Sequence, residues 1–322
     1  MKKVRSVLTL SAVALFASTL ILTACGDDSS SQSSDSDTTV ASSDIDGTFP
    51  LTVPQVEGDL TFDAPPTRII SLSPTATEML WAIGAGDQVV AIDNMSNYPA
   101  EAQEKASGLS GFEPSIEAIA DYNPDLVLVS YAPEGMADGL AALNIPVWYG
   151  YAPSDVDDVY AQIEILGAIT GNVSNAAGVV ADMKTKIDAA VSEVGDVGDA
   201  TYFYELDNTY YSVTSNTFIG SLMTALGLTN IADGVQEGND YPQLNAEVII
   251  DKDPTFIFLA DTAYGESAQT VAARPGWSTL GAVTGNRVVE LDSDIASRWG
   301  PRMVDLVLSV ADAVSAASIV AQ

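Results

Sequence analysis

One stretch of this chain occurs twice, the second copy 130 residues after the first. Residues 115–130 read S-I-E-A-I-A-D-Y-N-P-D-L-V-L-V-S, and residues 245–260 read N-A-E-V-I-I-D-K-D-P-T-F-I-F-L-A. Glu117, Asp121 and Pro124 align with Glu247, Asp251 and Pro254. In each copy a side-chain acceptor, Ser115 or Asn245, stands where a helix N-cap belongs, and the glutamate follows two residues later. A proline then stops the helix ahead of an apolar strand. One αβ unit used twice predicts two similar lobes, and two lobes leave a cleft between them.

The chain opens M-K-K-V-R-S, runs apolar and uncharged over residues 7–22, and then reads L-T-A-C to Cys25. Residues 1–25 therefore read as a signal peptide, with an uncleaved anchor helix as the alternative. The single Cys25 after small residues resembles the lipobox of bacterial lipoproteins, so the only membrane attachment expected is a lipid on that cysteine. Residues 26–47, almost all Ser, Asp, Thr and Gly, are too polar to bury a core and read as a flexible tether. Either reading puts the globular part outside the cytoplasm, lipid-anchored to the bacterial cell membrane in the favoured one.

Three of the 12 basic residues precede Cys25 and no acidic residue does, which leaves nine basic residues against 44 acidic ones, a net charge of −35. Nucleic acid and anionic membrane surface are poor partners for such a chain. The acidity is spread along the sequence and reads as a solvated surface. With one cysteine and no histidine, disulfides, thiolate metal sites and imidazole chemistry are excluded.

The rest alternates helix and strand, the pattern of α/β folds with mostly parallel sheets. Residues 48–154 form the N-terminal lobe, with strands at 68–72, 89–92, 125–130 and 146–149 and a helix over 75–83. Residues 155–196 are helical with a break at Thr170-Gly171-Asn172. Val179, Met183, Ile187 and Val191 at four-residue intervals predict one helix of about 30 Å, long enough to join two lobes rigidly. A helix hairpin inside one domain is the alternative. Residues 197–322 form the C-terminal lobe, with strands at 201–206, 255–260 and 287–291 and helices at 218–226, 246–251 and 301–318.

R-I-I-S-L-S-P-T-A-T-E-M-L from Arg68, I-E-A-I-A-D-Y-N-P-D-L-V-L-V, R-P-G-W from Arg274 and S-R-W-G-P-R from Ser297 follow in order. Together they resemble the periplasmic substrate-binding proteins of iron-siderophore and vitamin B12 ABC importers. That resemblance implies two α/β lobes joined by a long rigid helix, closing only slightly on a metal chelate. It also implies that Glu117 and Glu247 dock onto arginines of a dimeric membrane permease. By position alone, a glutamate in a first helical turn is also simply favourable against the helix dipole, by about 0.3–1 kcal/mol. S-L-S-P-T-A-T-E leans toward corrinoid binders and R-P-G-W toward siderophore binders; a ferric siderophore is favoured, with cobalamin close behind. No cofactor is expected, the iron or cobalt chelate being cargo, and a monomer is expected.

Ligands of open α/β sheets bind outside the carboxyl ends of strands. The ligand candidates are accordingly Met95, Tyr98, Tyr131 and Tyr204, with Phe112 and Tyr241 in matching loops just before the two repeats. Arg298 is the candidate cation for an anionic ligand, with an ion pair to Asp294 as its structural alternative. Arg302 reads as a structural ion pair, and Glu78 as a residue placed by its helix N-terminus.

Catalysis is disfavoured, since no carboxylate pair is forced together and no G-x-S-x-G is present. Free Zn²⁺ or Mn²⁺ sites normally recruit imidazole, which this chain lacks, and another solute or a hard cation such as Ca²⁺ held by carboxylates stays as an alternative that no motif favours. A surface adhesion module would leave the paired glutamates and aromatics without a role.

Overall fold

The computed structural model describes residues 45–317. The signal segment, the lipidation candidate Cys25 and most of the tether lie outside the described residues.

An antiparallel hairpin, β1 (Leu51–Val53) and β2 (Leu60–Phe62), precedes the first lobe. The lobe then runs β3 (Ile69–Ser71), α1 (Pro74–Ala82), β4 (Val89–Asp93), β5 (Ala106–Leu109), α2 (Ile116–Ala120), β6 (Leu126–Val129), α3 (Met136–Ala141) and β7 (Val147–Tyr149). Two helices follow, α4 (Val156–Thr170) and α5 (Val173–Val194). The second lobe is β8 (Thr201–Glu205), α6 (Phe218–Ala225), β9 (Thr229–Asn230), α7 (Ala246–Lys252), β10 (Phe256–Leu259), α8 (Ala268–Ala273), α9 (Gly281–Thr284), β11 (Val288–Glu290), α10 (Ser293–Ser297) and α11 (Met303–Ala316).

Both central sheets are wholly parallel, and they share a topology. The first sheet is ordered β5-β4-β3-β6-β7 and the second β9-β8-β10-β11. In each lobe the first strand lies inside: β4 and β5 follow β3 on one side and β6 and β7 on the other, as β9 flanks β8 on one side and β10 and β11 on the other. The repeated segments are α2–β6 and α7–β10, so the sequence repeat is the visible part of a whole-lobe repeat. The edge strand β7 meets the β1–β2 loop, where the Gln55 amide donates to the Val147 carbonyl and accepts from the Tyr149 N–H, at 3.2 and 2.8 Å.

Alternation along the inner strands divides the core into three parts. Ile69, Leu126 and Leu128 of the first lobe share one apolar cluster with Tyr202, Tyr204, Phe256 and Phe258 of the second, and the inward faces of α4, α5 and α11 complete it. The intervening residues, Ile70 and Val127 in one lobe and Phe203 and Ile257 in the other, face smaller clusters on the opposite side of each sheet. The central cluster therefore runs unbroken from lobe to lobe.

The strut within it is α5, whose 22 residues span about 33 Å. It packs against α11 of the second lobe, against α1 of the first and against α4. Its buried row is Ala176, Val180, Met183, Ile187 and Ala190. Spacing alternates four and three along that row, because a straight α-helix repeats every 3.6 residues; Val179 and Val191 of the expected four-residue row are only half-buried. The two readings of this region coexist, since α4 and α5 form a hairpin and α5 also bridges the lobes. A Cβ on Gly167 would meet the Ala176 Cβ at 2.4 Å, so glycine permits this close approach.

Candidate functional site: an aromatic cleft between the lobes

The carboxyl ends of both sheets open onto one cleft of about 710 Å³. In the first lobe, Ser73 caps α1 by accepting from the Ala76 N–H, and Pro74 opens the helix. Ser73 and Ser130, after β3 and β6, bring their hydroxyls to 2.6 Å at the point where the strand order reverses. In the second lobe the corresponding wall is apolar, formed by Leu206, Ala260, Phe218 and Ile219.

Four expected ligand contacts line this cleft: Met95, Phe112 and Tyr131 from one lobe and Tyr241 from the other, all exposed. Tyr264, 87% exposed, joins them. The rule that found Tyr131 just after β6 would have found Tyr264 just after β10. Trp299 also lines the cleft, its indole N–H donating to Gln162 Oε1 at 3.3 Å.

Tyr204 is not a cleft residue. Strand β8 continues to Glu205, and its alternation turns Tyr204 into the shared core, where the ring is fully buried and the hydroxyl donates to the Ala296 carbonyl at 3.2 Å. Leu206 is the first side chain beyond the strand to face the cleft. Tyr98 lies outside it too, with the Arg302 guanidinium 4.1 Å over its ring.

Arg298 lies at the cleft base, but its donors are engaged by protein. It donates to Glu78 Oε1 at 2.9 Å, Asn97 Oδ1 at 2.8 Å, the Met95 carbonyl at 3.2 Å and Asp294 Oδ1 at 2.7 Å. The Asp294 pair expected from sequence is present, and a larger interlobe network surrounds it. Glu78, 3% exposed, also accepts from Arg302 Nε at 2.9 Å and Nη2 at 2.5 Å. The S-L-S-P-T-A-T-E and S-R-W-G-P-R motifs are thus two halves of one joint between the lobes. Glu78 is its hub, a role that position at a helix N-terminus does not reveal.

Arg274 lies behind the apolar wall. It makes two bonds to the fully buried Glu205, at 2.5 and 2.6 Å, and one to Glu266 at 2.7 Å, and it stacks over Trp277 at 4.7 Å. The R-P-G-W motif is therefore a structural node beneath the cleft. Burial pushes the Glu205 carboxyl up to about 7 against the pull of Arg274. Asp261 beside it is 1% exposed with neither oxygen hydrogen-bonded, and burial raises it as well.

On the first lobe, Asp93 ends β4 and lines the cleft at 2% exposure. Its Oδ1 accepts from the Met95 and Ser96 N–H groups at 2.9 and 2.7 Å. Burial raises this carboxyl above its ordinary value, and the Ser96 and Met95 donors pull the other way.

Glu117 and Glu247 occupy equivalent positions in the first turns of α2 and α7. Ser115 caps one helix through the Ala118 N–H, and Asn245 the other through the Val248 N–H. Both glutamates are exposed and neither lines the cleft. The loops just ahead of them carry Phe112 and Tyr241 into it, so one acid flanks the cleft on each lobe.

Residues 69–295 match the family described as periplasmic binding protein. A cobalamin-binding protein of Halobacterium salinarum is 31% identical over 279 residues, 82% of this chain and 74% of the relative. An uncharacterized ABC transporter substrate-binding lipoprotein of Bacillus subtilis is 28% identical, over 83% of this chain and 86% of its own. Among solved structures, the periplasmic vitamin B12 binding protein of Vibrio cholerae superposes with a TM-score of 0.66 at 26% identity, covering 79% of this chain and 98% of that one. With the family matched across both sheets, the linking helices and most of the cleft, this chain belongs to the periplasmic binding proteins.

Proposed function

We propose that this chain is the extracytoplasmic receptor of an ABC importer, anchored by a lipid on Cys25, and that it captures a corrinoid and makes or breaks no bond in it. The relatives named for cobalamin or vitamin B12 support the cargo. The observation that carries the choice is the chemistry of the cleft. Its rim offers Phe112, Tyr131, Tyr241 and Tyr264, while Arg298, the only basic residue lining it among the described residues, is engaged by Glu78, Asp294, Asn97 and a carbonyl. A neutral or cationic chelate with broad apolar faces suits such a cleft; a polyanionic catecholate or carboxylate complex would have to draw Arg298 out of a buried pair.

Sequence motifs alone tilt the choice toward a siderophore through R-P-G-W. Arg274 and Trp277 of that motif lie beneath the cleft wall and hold Glu205, so the motif says nothing about what the cleft holds. In this reading Glu117 and Glu247 are the contacts to the two permease subunits, supported by their exposure, their equivalence and their placement on either side of the cleft.

Native mass spectrometry against cyanocobalamin, a neutral ferric hydroxamate and an anionic ferric catecholate tests the cargo. A one-to-one cyanocobalamin complex is expected, with quenching of Trp299 fluorescence. Retention of the catecholate complex with no corrinoid bound would overturn the assignment.

A further inference from the structure

We infer that Asp93 is a specificity-determining residue, a fixed hydrogen-bond acceptor in the cleft that reads peripheral amide N–H groups of the ligand and rejects carboxylates in their place. The inference rests on the corrinoid reading and deepens it, because a corrin ring carries its side chains as amides when mature and as carboxylates before amidation.

Three observations support it. First, Asp93 is rigidly held: the Met95 and Ser96 N–H groups both bond to Oδ1, which fixes the carboxylate plane at the end of β4. Second, among the described residues the donors that act on this carboxylate are all local, the Met95 and Ser96 N–H groups on Oδ1 and the Ser96 hydroxyl, and no residue across the cleft bonds to Oδ2, in contrast to Asp294, the other carboxylate lining the cleft. Asp294 gives one oxygen to Arg298 and the other to the Asn97 amide. Third, the space beside Oδ2 is kept clear by a glycine. A Cβ on Gly111, itself a cleft residue, would lie 3.0 Å from Asp93 Oδ2 and 2.6 Å from the Leu72 carbonyl. A residue with a side chain there would cover the oxygen.

A buried carboxylate with one oxygen satisfied and one open gains most from a neutral donor. It is penalised by a second anion, because Arg298, the nearby cation, already has its donors on Glu78, Asn97, the Met95 carbonyl and Asp294. Ser73, Thr75 and Ser130 line the same wall and either donate or accept, so they tolerate both kinds of side chain. Asp93 alone on this wall discriminates by charge.

The experiment compares dicyanocobinamide, whose side chains are amides, with dicyanocobyrinic acid, whose side chains are carboxylates. Calorimetry on the full chain reads the ratio of the two dissociation constants at 0.5 M salt, so that the overall charge of the protein is screened. Wild type should favour the amide ligand by at least about tenfold. Asp93→Asn keeps an oxygen for the Met95 and Ser96 N–H groups and turns a donor toward Gly111, so the ratio should fall by about tenfold or invert. Asp93→Ser, which removes the charge with a smaller side chain, should also lower it. Equal affinities in wild type, or a ratio unchanged in the variants, overturns the role of Asp93 while leaving corrinoid binding in place. A wild-type protein that binds neither compound, nor cyanocobalamin, overturns the corrinoid reading itself and this inference with it.

Discussion

The two lobes share a strand order and differ in what they present where that order reverses. Register equates Ser71 with Tyr204, since each pairs with the repeat strand at Leu128 and Phe258. Two residues on, Ser73 corresponds to Leu206, and Ser130 corresponds to Ala260 across the repeat. At that point one lobe thus offers hydroxyls, whereas its counterpart offers methyl and methylene groups with Glu205, Asp261 and Arg274 behind them, and its cleft-lining charges, Asp294 and Arg298, lie elsewhere. Repetition preserved the scaffold and the two outward glutamates, and divergence made the reversal point polar in one lobe and apolar in the other.

The largest effect tests what the lobes kept in common. Glu117→Ala together with Glu247→Ala should abolish uptake in cells while binding stays within a factor of about two, since neither side chain lines the cleft. Each single variant should lose part of the activity; a binding defect in the double variant would end the docking assignment. Next comes the joint between the lobes. Glu78→Ala leaves two guanidiniums without their buried partner and should cost about 3–5 kcal/mol in urea unfolding. A loss below about 1 kcal/mol would mean that the pair is no stronger than an exposed one.

Smaller effects separate cleft from core. Tyr264→Ala should weaken cyanocobalamin by about 1–3 kcal/mol with little change in stability. Tyr204→Phe should do the opposite, costing about 0.5–1.5 kcal/mol of stability for the lost bond to Ala296 and leaving affinity alone. The last prediction concerns the sealed charges. Burial lifts Glu205 from its ordinary 4.5 to about 7, so across that range the folded chain holds a proton that the unfolded chain has released. Stability therefore falls as pH rises from 4.5 to about 7, and the raised Asp261 nearby acts in the same sense. Glu205→Gln should flatten the slope in a series of thermal melts, and an unaltered slope would assign it to other carboxylates.

Much of this was legible in the sequence, because period-two strands, proline stops and N-caps act locally. The inner strands, both repeat helices and the break at Gly171 all fall where those signals put them. The short edge strands β5 and β9, with A-S-G-L and T-N, carry no apolar run and owe their form to their neighbours. Within the cleft, Met95 and Tyr131 follow from the rule about strand ends and Phe112 and Tyr241 from their matching loops ahead of the repeats, while Tyr204 was misplaced by one strand residue, enough to turn a side chain to the other face. The Glu78 joint joins residues 220 and 224 positions apart, and no local pattern announces such a pairing. The open oxygen of Asp93 depends on a glycine 18 positions away and was equally out of reach.

The Gln55 clip on β7 has a consequence for copies of this protein that meet. Its side-chain amide occupies the backbone groups of Val147 and Tyr149 that would otherwise invite another chain to add itself to the first lobe. A hairpin of twelve residues thereby does for this one edge of the sheet what closure does for a barrel: it removes the register a foreign strand would need there.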